Sequence, residues 1–595
     1  MEAPRGIVIL DFGGQYAHLI ASRVRRFGAF AEIRPPETPA KELKGAAGII
    51  LSGGPQSVYE PGSPQADPKI FDLGVPVLGL CYGLHWMTQT LGGEVKAGTT
   101  KEYGRTPIRI EGNGSILRDC GESCVVWMSH GDEAARLPEG FVRIATSDAC
   151  VNAAFADESR KFYAFQFHPE VTHTEHGFDM LKRFVDLCNA EPWSMTGYAE
   201  RIADEIRKEV GDRKVFMLVS GGVDSTVAFT LLNDVLGAKR VQGLLVDTGL
   251  MRKGEVAMIR DAFDRLGITN LHIEDAAEEF FGNLKDVYAP EEKRQIIGNT
   301  FLAVQKRVSE DMGLVMDDGW MLGQGTIYPD TIETGATKHA DKIKTHHNRV
   351  EAVQRMIERG LVIEPLKDLY KDEVRQLGEE LGLPHALVWR HPFPGPGLGV
   401  RILCAAAPEP TSDVTLTLDV PHQVLPVRSV GVQGDGRTYR HAVSLFTEDP
   451  FTPPESYHAL SVSIPNANPR VSRVLLCLSH SQPTQAVFTP GYLTRERADL
   501  LREADAIVNE ELAADEALSK RIWQFPVVLV PFGTSDGGQS VVLRPVESID
   551  AMTANAAGLP PDVLRRITER ILALAGIDSV YLDLTSKPPG TIEWE

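Results

Sequence analysis

Twice in this chain a short apolar run breaks at a glycine-flanked turn and continues with helical spacing, in VPVLGLCYGLHWM around Cys81 and in KVFMLVSGGVDSTVAF around Gly221. A strand that feeds a helix through a tight turn returns to a parallel neighbour, so each unit calls for a mainly parallel sheet with helices on its faces. The surrounding sequence keeps the same rhythm. From Gly6 to about Cys188, the runs GIVILDF, AAGIILSGG, VPVLGLCYG and FYAFQFHPE alternate with helical patterns. A second series starts at Lys214 and continues through VQGLLVDTG and GWMLGQGTIYPD. Closely spaced Pro and Gly exclude regular structure from His391 to Gly399.

The last third carries an internal repeat: LPVRSVGV (Leu425 to Val432) parallels FPVVLVPF (Phe525 to Phe532), TYRHAVSL parallels QSVVLRPV, and SRVLLCLS parallels DSVYLDLTS. Matching order and spacing predict two copies of one strand-rich α+β unit. A helix over Thr494 to Leu512 leads into the second copy. The predicted fold class is therefore α/β, with two successive parallel-sheet α/β domains followed by a duplicated α+β domain.

Charge narrows the function classes. A formal net charge of -20 argues against an extended nucleic-acid surface, so any anionic ligand is held locally. No stretch approaches the roughly 18 uninterrupted apolar residues of a membrane helix. Seven cysteines, an odd number without framework spacing, fit a reducing compartment, and the opening MEAPRGIVILDFGGQY lacks the features of a signal peptide. Cytoplasmic residence is expected.

In GVPVLGLCYGLHWM, Gly79 and Gly83 flank Cys81 as in a nucleophile elbow, which leaves sulfur at a helix N-terminus where the attacking thiolate is stabilised. AFQFHPEV then supplies His168 as base and Glu170 as the carboxylate that orients it, completing an acyl-transfer triad. In LSGGPQSVY, Gly53 and Gly54 form a turn whose N–H groups suit an oxyanion, with Tyr82 N–H as second donor. With GGP, GLCYG and FHPE in order, the first 190 residues resemble the class I glutamine amidotransferases. The resemblance implies a glutamyl thioester on Cys81, release of ammonia, and Ser129 to Asp132 near the glutamine. One departure is His85, where such enzymes carry Gln in C-x-G-x-Q. The remaining histidines here, His18, His173 and His176, read as surface or loop residues, and Cys120 with Cys124 lacks a companion pair for zinc.

Ser220 to Ser225, SGGVDS, lies between an apolar strand and a helix, so successive N–H groups and serine hydroxyls (Ser220, Gly221, Gly222, Val223, Asp224, Ser225) face an anion at a helix N-terminus. There is no G-x4-G-K-[ST] motif, which favours chemistry at the α-phosphate over γ-phosphate transfer. SGGVDS resembles the N-type ATP pyrophosphatases, and by that resemblance Val246, with Asp247, binds adenosine and Gly323 to Asp330 forms a further ATP segment. Mg2+ is implied with ATP, Asp224 being a candidate contact. IKTHHN, with Lys344, His346 and His347, is either a lid over phosphate or a solvated basic loop. Glu364, Lys367, Lys371 and Asp372 fall at helical spacings.

Taken with EPLKDLYKDEVR, HPFPGPGLG and the ending DLTSKPPGTIEWE, the chain resembles the GMP synthetases along nearly its whole length. That implies XMP, ATP and glutamine as substrates, with XMP contacted by Arg294, Asp435, Gln539, Lys587 and Glu593. It also implies an amidotransferase over 1–190, an ATP pyrophosphatase over 191–402, and a C-terminal domain of the dimerisation type over 403–595. The second α+β copy looks like the long eukaryotic form. It could take a partner's place, giving a monomer or a ligand-dependent homodimer, with neither nucleic acid nor membrane as partner. The competing reading is another amidotransferase coupled to adenylation, such as an asparagine, NAD or tRNA-modifying enzyme.

Overall fold

The computed structural model describes residues 6–112, 116–171, 173–314, 319–333, 356–432, 437–548, 554–587 and 589–595. Two compact units emerge. The first is Met1–Tyr198 with Ile327–Val350 and Lys367–Glu373, and the second is Ala199–Thr326 with Glu351–Leu366 and Val374–Glu595.

The first unit is built on a nine-stranded sheet of β1 (Ile7–Leu10), β2 (Ala31–Arg34), β3 (Gly48–Leu51), β4 (Val77–Leu80), β5 (Glu94–Ile110), β6 (Ser123–Arg136), β7 (Val142–Thr146), β8 (Ala154–Asp157) and β9 (Phe162–Phe165). Its order is β2-β1-β3-β4-β9-β8-β7-β5-β6, parallel from β2 to β9 and antiparallel beyond. Continuous apolar runs form the parallel strands β1, β3, β4 and β9 because both faces are covered, whereas the edge strand β2, AEIR, is only partly buried. Ile7 and Ile9 pack into one core, whereas Val8 and Leu10 pack into another.

The second unit begins with a five-stranded parallel sheet: β10 (Lys214–Leu218), β11 (Val241–Asp247), β12 (Leu271–Asp275), β13 (Trp320–Gly323) and β14 (Val362–Ile363). Its order, β12-β11-β10-β13-β14, reverses direction at β10. In open parallel sheets, ligands bind at such a switch point, beyond the strands' carboxyl ends. The loop that leaves β10 there is SGGVDS.

The same unit continues into a six-stranded sheet of β15 (His422–Val432), β16 (Arg437–Leu445), β17 (Val471–Cys477), β19 (Val527–Val530), β21 (Gln539–Leu543) and β24 (Ile577–Asp583). Small ribbons pair β18 (Val487–Phe488) with β20 (Phe532–Gly533), and β22 (Val546–Glu547) with β23 (Asn555–Ala556). In the large sheet the order is β15-β16-β17-β24-β21-β19, with pairings antiparallel, parallel, antiparallel, parallel, antiparallel. It reads the same from either edge. Each half is two strands, a helix (Ser456–Ala467 or Pro561–Leu572) and a third strand, so the sequence repeat is a repeat of structure. Helices on one face share a core with Val474, Val541 and Val580, while Leu475, Val528, Val542 and Trp594 fill the other.

Two local expectations change. Helix begins only at Lys371, so Glu364 and Lys367 precede it, and Glu364 instead accepts a hydrogen bond from Thr326 at 2.6 Å. Within His391 to Gly399, the chain enters one 3-10 turn at Gly397–Arg401.

Candidate active sites

Adjacent parallel strands β3, β4 and β9 end at one edge of the first sheet, and there the chain delivers Ser52–Gly54, Cys81 and Gln166–His168. Cys81 has φ 51 and ψ -106, the strained conformation of a residue thrust out of a strand-to-helix turn. Its N–H is held by Phe165 O at 2.8 Å, and Gly83 N–H by Ser52 O at 3.0 Å. The flanking glycines are required by space. A Cβ on Gly83 would lie 2.3 Å from Leu51 O, and one on Gly79 2.9 Å from the Gly83 carbonyl.

Glu170 Oε1 lies 2.7 Å from His168 Nδ1, both side chains being buried. Burial opposes charge on His168, but Glu170 and the hydrogen-bonded Cys81 outweigh it and raise the imidazole to about 10. At neutral pH His168 is therefore an acid with a proton to give. Tyr82 opens the helix Tyr82–Thr90, so its N–H has no acceptor within the helix. Gly54 packs tightly enough that a Cβ would sit 2.8 Å from Phe12 O and 3.1 Å from the Tyr82 ring. Ser129 O faces the Cys81 sulfur at 3.6 Å.

The structure adds residues that motif reading passes over. Gln166, fully buried, points its Nε2 at Cys81 Sγ from 3.9 Å and its Oε1 at His85 Nε2 from 2.8 Å. Residues alternate in β9 and its extension, so Gln166 shares a side with His168, and that period of two is a usable signal. Glu102, His130 and Cys150 hold their ligand-type atoms within 4.8 Å of one another. Glu102 is already bound by His130 and by the Ser147 hydroxyl, and burial pushes the Cys150 thiol up to about 12. The trio is a closed polar knot, and no metal is assigned to it. His18 is not the surface residue expected: it sits edge-on to Tyr328 and Tyr370, and burial lowers it to about 4.

In the second unit, Gly221 at φ +78 turns the chain out of β10, and Gly222 caps the helix Val223–Leu236. Ser220 Oγ accepts from Gly222 N–H at 3.3 Å and lies 3.1 Å from Ser225 Oγ, so the hydroxyls tie the loop to the start of the helix. Gly325, beyond β13, passes so close that a Cβ would meet Ser225 N at 2.9 Å. Val246 and Gly323 stand at the carboxyl ends of β11 and β13, on either side of the loop's strand. The donors here are carboxylate and hydroxyl oxygens, the set Mg2+ prefers.

The C-terminal segment is anchored. Arg401 Nη2 binds Glu593 Oε1 at 2.9 Å with its Nε on the other oxygen at 3.1 Å, and Gln524 Nε2 donates to Oε1 at 3.2 Å. Trp594 is fully buried and donates to Asp583 at 3.1 Å, while Glu595 pairs with buried Lys293. Of the expected acceptor contacts, Lys587 and Glu593 share this segment, and Lys587 exchanges backbone hydrogen bonds with Ala554. Gln539 is engaged elsewhere, accepting from Arg497 Nε at 2.7 Å; Gln524 holds Glu593 instead. Arg294 pairs with Glu291, which also accepts from Tyr439. Asp435 and the loop of Lys344, His346 and His347 lie outside the described residues.

Residues 8–188 match the glutamine amidotransferase class-I family, and 510–594 match the GMP synthase C-terminal domain. The chain is similar to a probable glutamine-hydrolysing GMP synthase of Leptospira interrogans, 47% identical over 611 residues and covering 100% of both chains. It is also similar to the glutamine-hydrolysing GMP synthase of Bacillus subtilis, 39% identical over 602 residues, 99% of this chain and 98% of that one. Among solved structures, a putative GMP synthase subunit from Thermoplasma acidophilum is 29% identical with a TM-score of 0.28, covering 34% of this chain and 96% of that chain.

Proposed function

The chain belongs to the glutamine-hydrolysing GMP synthase family, and on that premise we propose that 1–190 hydrolyses glutamine, 191–402 adenylates XMP and 403–595 holds the acceptor nucleotide. The enzyme is a ligase that converts XMP, ATP, glutamine and water into GMP, AMP, pyrophosphate and glutamate. What carries the residue assignment is the meeting of the Cys81 sulfur with the His168–Glu170 pair at one sheet edge.

Cys81 Sγ attacks the glutamine carboxamide carbon as a thiolate paired with charged His168, while Gly54 and Tyr82 N–H groups receive the developing oxyanion. His168 gives its proton to the departing ammonia, leaving a thioester. The neutral imidazole then takes a proton from water, which attacks the thioester and releases glutamate. Glu170 keeps the ring oriented and favours its charged form throughout.

At the switch point of the second parallel sheet, residues Ser220 to Ser225 hold the pyrophosphate end of ATP, with Val246 and Gly323 flanking the nucleotide. The XMP C2 oxygen attacks the α-phosphorus and pyrophosphate leaves. Ammonia then bonds to C2, and AMP departs with the former oxygen. Adenylation is needed because an amide-like oxygen is otherwise a very poor leaving group. Mg2+ bound by Asp224 and the phosphates would neutralise charge on the leaving pyrophosphate. Arg294, Asp435, Lys587 and Glu593 are assigned to XMP, with Gln539 the weakest of the set since Arg497 occupies it. Lys344, His346 and His347 are assigned to cover the phosphates.

The palindromic sheet supports a monomer or ligand-dependent homodimer, since each ββαβ half already has its mate in the same chain. Light scattering with and without XMP and ATP tests this, and an obligate dimer in both states refutes it. Among the described residues no helix is long and apolar enough to cross a membrane, and the free cysteines fit the cytosol, where we place the enzyme. Replacing Cys81 with Ala separates the sites: glutamine-dependent GMP formation disappears and ammonia-dependent formation persists. Loss of both contradicts the assignment.

A further inference from the structure

We propose that His85 is a positioning residue for the Cys81 nucleophile, its imidazole fixing the flip of the Gln166 carboxamide so that the amide N–H2 faces the sulfur. The inference rests on Cys81 being the glutaminase nucleophile and concerns how this chain works with His in place of Gln in C-x-G-x-Q. His85 lies on the first turn of the helix that Cys81 opens and is only 3% exposed. Its Nε2 is 2.8 Å from Gln166 Oε1, and Gln166 Nε2 is 3.9 Å from Cys81 Sγ. Cys81, Gln166 and His85 thus form a line of three buried groups.

A carboxamide has two flip states, and they are opposite in consequence. With oxygen toward His85, the N–H2 offers the sulfur a donor, which favours thiolate over thiol. With oxygen toward the sulfur, a lone pair faces the negative charge. An imidazole carrying its proton on Nε2 selects the first state. Burial lowers His85 to about 4 despite hydrogen bonds with Gln166 and with the Asp132 backbone, so the ring is neutral at working pH and its single N–H goes to one of these two acceptors, in the proposed state from Nε2 to Gln166. The charged and titratable groups around the line are Asp132 and His130 of β6, which act on His85, and His168 with Glu170, which act at Cys81. None of them donates a hydrogen bond to Gln166 Oε1 among the described residues, which leaves His85 to set the flip.

The experiment measures the pH dependence of Cys81 alkylation by iodoacetamide, quantified on its peptide by mass spectrometry, beside kcat and KM for glutamine. His85→Leu and Gln166→Leu should each slow alkylation about tenfold at neutral pH, moving the profile up by about one unit. Glutamine-dependent kcat should fall in step while KM stays within about twofold. Combining the two changes should add nothing, because His85 acts through Gln166. His85→Gln, which restores an amide donor, should recover most of the rate. Ammonia-dependent GMP formation reports folding in every variant, and His85→Asn replaces His85→Leu where the latter fails that check. An unchanged alkylation profile, a change in KM alone, or additive single effects overturns the proposal. If wild-type Cys81 itself forms no thioester, the glutaminase assignment fails instead.

Discussion

At the residue scale, the thiol site is an exercise in forced proximity. Cys81 occupies a positive φ that costs of order 1–3 kcal/mol, and it is held there by Phe165 O, Ser52 O and two glycines. Gly83→Ala places a Cβ against the Leu51 carbonyl, a backbone atom that cannot step aside. It should destabilise the chain by about 1–3 kcal/mol in chemical denaturation and remove glutamine-dependent turnover while ammonia still supports GMP formation. His168 makes a pH prediction whose sign is fixed. Its charged form is stabilised by folding, so its contribution is complete below about 6.5, its unfolded value, and fades as pH rises toward about 10. The gap in melting temperature between wild type and His168→Gln should therefore narrow over that interval. The motifs around Cys81 and His168 are legible in the sequence because each reactive residue carries its own local backbone signature. Gln166 is legible only in part: alternation sets it on the side of His168, but its reach to Cys81 has meaning only once β4 and β9 are known to be neighbours.

At the element scale, strands are easiest to find where both faces are buried, as in VFML, GIIL and VLLC, since an apolar run leaves no alternative. Charge spacing overextends the helix through EPLKDLY because it ignores Pro365, which disfavours helix at Glu364. Thr494, by contrast, is a faithful boundary: its hydroxyl accepts from Arg497 N–H at 3.3 Å, and Thr494→Ala should cost about 1 kcal/mol in denaturant unfolding. The duplicated ββαβ elements meet at β17 and β24, where Arg473 and Arg544 share one aspartate, Asp583, all three without solvent contact. Asp583→Asn removes the buried carboxylate that the two cations share and should cost about 3–5 kcal/mol, far more than Asp562→Asn on the helix surface. Equal losses at the two positions would contradict the buried network. Sequence pairing of the repeats locates these strands, but not the ion cluster between them.

At the scale of the molecule, residues far apart in sequence complete one another. Glu593 depends on Arg401 and Gln524, and Glu595 on Lys293, separations no motif spans. The two parallel sheets carry distinct chemistry, so damage to each should have its own signature. Asp224→Ala is expected to reduce GMP formation equally with glutamine and with ammonia. A selective loss with glutamine would move Asp224 out of the nucleotide site. The most direct measurement follows GMP, AMP and pyrophosphate together as purified enzyme consumes XMP, ATP and glutamine. The account predicts that the three rise in equal amounts; formation of ADP and orthophosphate in place of AMP and pyrophosphate would contradict it.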